Sequence, residues 1–257
     1  MVVDDQKVES VQGFVRGLAV IRCFREDGGR LTLTEVAKRA DLSRASARRL
    51  LYTLCNENYA ATDGKVFWLT PRILDLGYSY LSSMELWGFA QEYLEQLRET
   101  LGESTSIAVL EGDDVVFVIR AQARRILTSA LGVGSRIPAY VISLGRAMLS
   151  TLPEHELEAY LSRVKLEKLT PHTVDDPDTL REVLRADRAQ GYSIVSKELE
   201  LGISGIGMPI RNRQGQTIAA ISVNFHPDRG LDPAVQERIL ESLHHTRAQI
   251  ESVLKLR

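Results

Sequence analysis

The chain has little of what marks several common protein classes. Among 257 residues there are two cysteines and only 6% aromatic residues. Two thiols exclude a disulfide framework, and Cys23 and Cys55 both fall on predicted helices beside apolar neighbours, as buried free thiols do in a reducing compartment. No pair of Cys or His has zinc-finger spacing, and the adjacent His244 and His245 would point about 100° apart on a helix. No run of about 18 apolar residues is present, so no transmembrane helix is expected. The start, "MVVDDQKVES", lacks the basic and apolar regions of a signal peptide and reads as a disordered tail of a cytoplasmic protein. There is no Gly-x-Ser-x-Gly elbow, no paired-carboxylate motif and no metal-ligand set. "GISGIG" has the wrong glycine order for a dinucleotide loop, and no Gly-Lys-Ser/Thr follows it. No cofactor or metal is expected.

What is present is a local excess of positive charge. The whole chain carries a formal charge of −2, yet residues 30–72 hold eight basic residues against four acidic ones. A basic segment on an otherwise acidic chain points to a local polyanion site.

That segment has the periodicity of a winged helix-turn-helix. Residues 13–26 repeat apolar side chains (Phe14, Leu18, Ile21, Phe24) at helical spacing. Thr32 or Thr34 can cap a second helix, with Glu35 at its positive end, and Ser43 can cap a third, running to about Asn56. Val36, Ala40, Leu42, Ala47 and Leu50 fall where the two helices meet, and Ala37 allows close approach. Asp41 sits at the turn, where φ is often positive; aspartate tolerates that conformation. Asp63-Gly64 predicts a tight primed hairpin turn, the wing, with φ > 0 at both central residues.

On the third helix, Ala47, Leu50, Leu51 and Leu54 face inward. Arg44, Ala45, Ser46, Arg48, Arg49 and Tyr52 lie opposite. In a DNA major groove such a face offers guanidinium forks to guanine edges or phosphates and hydroxyls to phosphates. Thr34 and Ser43 at helix starts are expected to add phosphate contacts, and Lys65 at the wing tip a phosphate or minor-groove contact. Arg16 on the first helix is either a backbone contact or plain surface. A helix from Pro71 reads as a linker, and the sequence divides into a tail (1–10), a winged helix-turn-helix domain (11–71), a linker helix (72–84) and a third region (85–257).

That third region changes to α/β texture. "STSIAVL", "DVVFVIR", "ILTSAL", "YSIVSKE", "GIGMPIR" and "TIAAISVN" read as strands, and residues 177–190 and 233–255 as helices. "SRIPAYVISLGRAML" runs from a loop into a helix at about Ser143. Free amides at Leu144, Gly145 and Arg146 would face an anion such as a carboxylate, with Arg136 or Arg146 adding charge. Ser196, Glu198, Ile206, Met208, Ser222 and Asn224 occupy alternating strand positions, which would put one set on a cavity wall.

The motifs "LTLTEVAKRADLSRASARRLLYTL", "GSRIPAYVISLGRAMLSTLP" and "GYSIVSKELELGISGIGMPI" resemble the IclR family of bacterial transcriptional regulators over nearly the whole chain. "IPAYVISLGRAML" is most similar to regulators of aromatic-acid catabolism and the β-ketoadipate pathway; Tyr140 replaces a histidine common in the wider family. The resemblance implies an α+β protein: an N-terminal winged helix-turn-helix joined by a linker helix to a GAF-like α/β effector-binding domain. It implies a homodimer or homotetramer on double-stranded operator DNA, with a small organic acid as effector. It also implies that the strand positions named above match the family's pocket. Protocatechuate, 4-hydroxybenzoate and β-ketoadipate are the expected effector class. The competing expectation is an enzyme acting on a small organic acid, with an appended basic domain.

Overall fold

The second and third helices of the N-terminal part start at side chains that satisfy backbone amides locally. The computed structural model describes residues 10–25, 29–83, 87–123 and 131–256. The first tail residues, the strand expected from Ile126 and the turn near Arg124 lie outside them. The chain divides into two compact units, Met1–Leu81 and Ser82–Arg257.

In the first unit, α1 (Gln12–Arg22) leads through a 3-10 turn (Cys23–Arg25) to a two-residue strand, β1 (Leu31–Thr32). Thr32 then caps α2 (Leu33–Arg39). Its hydroxyl accepts from the Glu35 amide while the Glu35 carboxylate accepts from the Thr32 amide at 2.7 Å, a reciprocal capping box. Asp41 turns the chain at φ 50°, as its side chain permits. Ser43 caps α3 (Arg44–Asn56) by accepting from the Ser46 amide. Val20, Phe24, Leu31, Val36, Ala37, Ala47, Leu51 and Phe67 form the core. Phe14, expected on the buried stripe of α1, is exposed instead.

The wing is β2 (Ala60–Thr62) and β3 (Val66–Leu69), with β1 added in the order β1-β3-β2. The turn departs from the two-residue primed form. Thr62 pairs with Phe67, and among residues 63–66 only Gly64 has positive φ. The Asp63 carboxylate accepts from the Lys65 and Val66 amides, which shapes a longer loop and holds its carboxyl below the usual range. After Pro71 a 3-10 turn precedes α4 (Leu74–Ser83), so the regular helix begins later than expected.

The second unit is a six-stranded antiparallel sheet in the order β6-β5-β4-β9-β8-β7. Its strands are β4 (Ser104–Glu111), β5 (Asp114–Ala121), β6 (Arg136–Pro138), β7 (Ser193–Ser196), β8 (Ser204–Arg211) and β9 (Thr217–Phe225). Helices α5 (Trp87–Leu101) and α9 (Pro233–Leu256) pack on one face, toward which Thr105 points, donating its hydroxyl to the Leu94 carbonyl at 2.9 Å. The short, fully buried α6 (Ser143–Leu149) lies on the other face, backed by α7 (Glu154–Arg163) and α8 (Pro177–Gln190). Three glycines seat α6. A Cβ on Gly207 would stand 2.6 Å from the Ser143 backbone, one on Gly205 2.8 Å from Ser143 Oγ, and one on Gly145 2.0 Å from the Ala139 carbonyl oxygen. Gly145 is therefore small for packing against its own preceding turn rather than for a ligand.

Candidate DNA-binding face and ligand cavity

The N-terminal unit presents a cationic surface. Ser43, Arg44, Ala45, Arg48, Arg49 and Tyr52 on α3, Thr34 on α2 and Lys65 on the wing are exposed, and Ser46 is half-buried. None of Arg44, Arg48 and Arg49 meets a carboxylate among the described residues. The Arg48 guanidinium lies 5.5 Å from the Tyr52 ring centroid, and Tyr52 in turn packs edge-on against Phe67. The Ser43 hydroxyl is engaged in its cap. Arg30 stacks 4.5 Å over Trp68, a further wing cation that sequence reading leaves unassigned. The fixed elements thus display guanidinium groups free of carboxylates on one helix, an arrangement suited to phosphates and base edges.

The C-terminal unit holds two adjoining chambers between α6, the sheet and the β7–β8 loop. The outer, bordered by the exposed Gln122 and Gly202, spans about 660 Å³ and the inner, bordered mostly by buried residues, about 230 Å³, both counted together with open solvent; Ile142, Leu199, Ile203 and Asn224 border both. Strand register builds the polar part of the wall. Residues paired across antiparallel strands point to the same face. One row of the sheet runs Arg120, Ser106, Ser222, Gly207, Ser193; the next includes Ser104, Asn224, Gly205 and Val195. Both rows face α6. A register shift in β4–β5 between Ile107 and Ala108 brings Phe117 to that same side, with its ring centroid 5.1 Å from the Arg120 guanidinium.

Arg120 is the chemically distinctive group. It donates to the Leu131 carbonyl, which also accepts from Gln122 at 3.1 Å. Burial pulls its pKa below the ordinary arginine value, and its Nε has no partner among the described residues. The hydroxyls of Ser106 and Ser143 are likewise buried without partners among them. A buried orphan polar atom costs about 1–3 kcal/mol. Arg120 borders the outer chamber and Ser143 the inner one, and at each a polar ligand can restore a lost hydrogen bond.

The sequence-predicted cavity residues divide. Ser143 and Asn224 line the inner chamber, and Ser222 lies in the adjacent polar row, accepting from Asn224 at 3.2 Å. Ile206, Met208 and Ser196 point the other way. Val223 and Ile221 stand opposite Ile206 and Met208, and Ser196 pairs with Ser204. The strands alternate as expected, but on β7 and β8 the cavity set is offset by one residue from the expected one, which reverses the face. Arg136 sits at the sheet edge, bonded to Asp114 at 3.1 Å and to the Glu111 carbonyl. Arg146 and Glu198 are buried in each other's company at 2.5 Å. Arg146 also donates to the Tyr140 carbonyl, and Glu198 accepts from the Val174 amide. The Arg146 amide donates to the Ile142 carbonyl and is not free for an anion. Leu144 is core. Tyr140 uses its hydroxyl on both backbone groups of Glu167, fastening the loop before α8. Sequence reading misses Arg120, Gln122 and Ser104; the available signal is an arginine and a glutamine at alternate positions closing the apolar run "DVVFVIRAQ".

Two family descriptions match this chain. Residues 14–64 match the IclR helix-turn-helix domain, and residues 78–252 match the bacterial transcriptional regulator IclR C-terminal domain. The Pca regulon regulatory protein of Pseudomonas putida is 39% identical over 229 residues, covering 89% of this chain and 79% of that protein. The p-hydroxybenzoate hydroxylase transcriptional activator of Acinetobacter baylyi is 35% identical over 249 residues, covering 95% and 92%. Among solved structures, an IclR homolog from Microbacterium hydrocarbonoxydans complexed with 4-hydroxybenzoate superposes with a TM-score of 0.85 at 26% identity, covering 95% of this chain and 100% of that one.

Proposed function

The chain belongs to the IclR family of bacterial transcriptional regulators, and we propose that it is a cytoplasmic regulator of aromatic-acid catabolism whose hold on operator DNA is set by a small aromatic carboxylic acid. Its relatives are regulators rather than enzymes. The single observation that carries the DNA side is the exposed row Arg44, Arg48 and Arg49 on α3, none of them engaged by a carboxylate among the described residues. Thr34, Ser43, Ser46, Tyr52 and Lys65 surround it as further backbone and groove contacts.

The effector side is supported by Arg120, a half-buried guanidinium beside an apolar ring whose Nε has no partner among the described residues. A partly desolvated cation with no carboxylate partner among the described residues favours an anionic guest. The p-hydroxybenzoate in one relative's name, and 4-hydroxybenzoate in a fold neighbour, favour an aromatic acid over other anions. Leu74, Leu76, Tyr78 and Tyr80 on α4 are exposed, as are Val11, Phe14 and Val15 near α1. A second copy covering these side chains would make a homodimer able to read a palindromic operator, with α4 as the linker, and dimers paired again would make a tetramer. Sedimentation equilibrium tests this: a monomer at micromolar concentration would remove the palindromic reading. Thermal shift against millimolar aromatic acids tests the effector class, since a ligand of the native state raises Tm; no shift with any of them overturns it.

A further inference from the structure

The two chambers differ in chemistry, and the difference gives the ligand a direction. The outer chamber contains the cation, Arg120, with Gln122 beside it. The inner chamber has no cation on its wall among the described residues. Its polar groups are neutral: the buried hydroxyl of Ser143, only 1% exposed and without a partner among the described residues, and the Asn224 amide, whose Nδ2 donates to Ser222 and whose Oδ1 accepts no hydrogen bond among those residues. Arg146, the nearest arginine in sequence, is closed off by Glu198. Asn224 borders both chambers, and the other shared walls are aliphatic: Ile142, Leu199 and Ile203.

We propose that the effector binds with its carboxylate on Arg120 and Gln122 in the outer chamber and a ring hydroxyl on Ser143 and Asn224 in the inner chamber. The phenol donates to Asn224 Oδ1 and accepts from Ser143 Oγ, so both groups gain a partner. The inference rests on the effector reading above and adds what that reading leaves open: which end goes where, and which acids are refused. An aliphatic dicarboxylate would bring its second carboxylate against neutral groups and apolar walls, where no cation offsets its lost hydration. An acid with no hydroxyl leaves Ser143 Oγ buried and unpaired. The site is therefore selective for a rigid ring with a carboxylate at one end and a hydroxyl at the other.

Calorimetric or thermal-shift titration of the full chain with 4-hydroxybenzoate, benzoate, 4-hydroxybenzamide and adipate tests this. The wild type should bind 4-hydroxybenzoate about tenfold or more tighter than benzoate, the discrimination that a buried hydrogen-bonding site for a hydroxyl supplies, and should bind adipate weakest of the acids. Ser143→Ala should remove most of that preference and leave benzoate binding unchanged. Arg120→Gln should weaken both aromatic acids together by about 100-fold, while 4-hydroxybenzamide, which has no charge to lose, is little affected. Arg120→Lys, which keeps the charge, should recover part of the acid binding and guards against misfolding of the Gln variant. Equal losses of benzoate and 4-hydroxybenzoate in Ser143→Ala, or equal losses of acid and amide in Arg120→Gln, overturn the orientation. If no aromatic acid binds the wild type, the effector class itself is wrong and the orientation falls with it. Normal binding with the wrong variant pattern removes the orientation alone.

Discussion

The two units use arginine in opposite ways. On α3, Arg44, Arg48 and Arg49 stand in solvent with no carboxylate beside them among the described residues. In the C-terminal unit Arg146 is buried against Glu198, and Arg120 is half-buried, with its Nε enclosed and unanswered among those residues. Exposed guanidinium groups free of carboxylates cost little to keep and bind a polyanion by releasing its counterions. A buried pair mainly resists being separated. A half-buried arginine with an enclosed, unanswered nitrogen is neither plain surface nor scaffold, and it is the group on which the proposed effector reading rests. Residue type says little here; burial and pairing assign the work.

Changes that swap these environments test the contrast, and the largest effect belongs to the exposed set. Replacing Arg44, Arg48 and Arg49 with Ala should lower affinity for an operator duplex, selected by the protein from a random pool, by about 10³-fold or more, at about 1–3 kcal/mol per specific contact. The salt dependence should flatten by about 0.9 in log–log slope for each phosphate that the variant no longer neutralises. Fluorescence anisotropy at several salt concentrations measures both, and stability to urea should hardly change.

The buried pair should show the reverse pattern. Glu198→Ala strands the Arg146 charge and should cost about 3–5 kcal/mol of stability in urea unfolding. The same change also releases the anchor of the β7–β8 loop, since Glu198 holds the Val174 amide as well. A loss below about 1 kcal/mol would mean that Arg146 finds water or another partner. Gly145→Ala drives a methyl into the Ala139 carbonyl and should cost about 1–3 kcal/mol or more, read from the same unfolding curves. The smallest effect is Thr32→Ala, which removes one half of the capping box on α2 and should cost about 1 kcal/mol.

The same contrast explains which parts of the molecule are legible in its sequence. The N-terminal unit is written in local signals: a cap at Ser43, a box at Thr32 and Glu35, an aspartate at a positive-φ turn. Each acts within four residues, so spacing alone reveals it. The wing turn already strains this, because the Asp63 side chain, not the Asp-Gly pair alone, shapes the loop. The cavity depends on pairing between distant strands. Alternation identifies two faces but not which one meets α6. Spacing therefore selects the residues of β7 and β8 that face away from α6, while Ser222 and Asn224 on β9 fall on the α6 side. Phe117 shares a wall with Arg120 only because of the register shift opposite Ile107 and Ala108, which breaks strict alternation and leaves no mark in the sequence. Arg136 and Arg146 are natural candidates by charge, but their partners Asp114 and Glu198 lie 22 and 52 residues away.

The central claim is that occupancy of the Arg120 cavity changes how tightly the α3 arginines hold DNA. The direct measurement is operator affinity of the full chain with and without saturating 4-hydroxybenzoate, repeated in Arg120→Gln. A coupling of about 1–3 kcal/mol, or about 5–150-fold in affinity, is expected in the wild type. In the variant the coupling should vanish while affinity without the acid stays the same. An operator affinity that does not move when thermal shift shows the wild-type cavity to be filled would contradict the account.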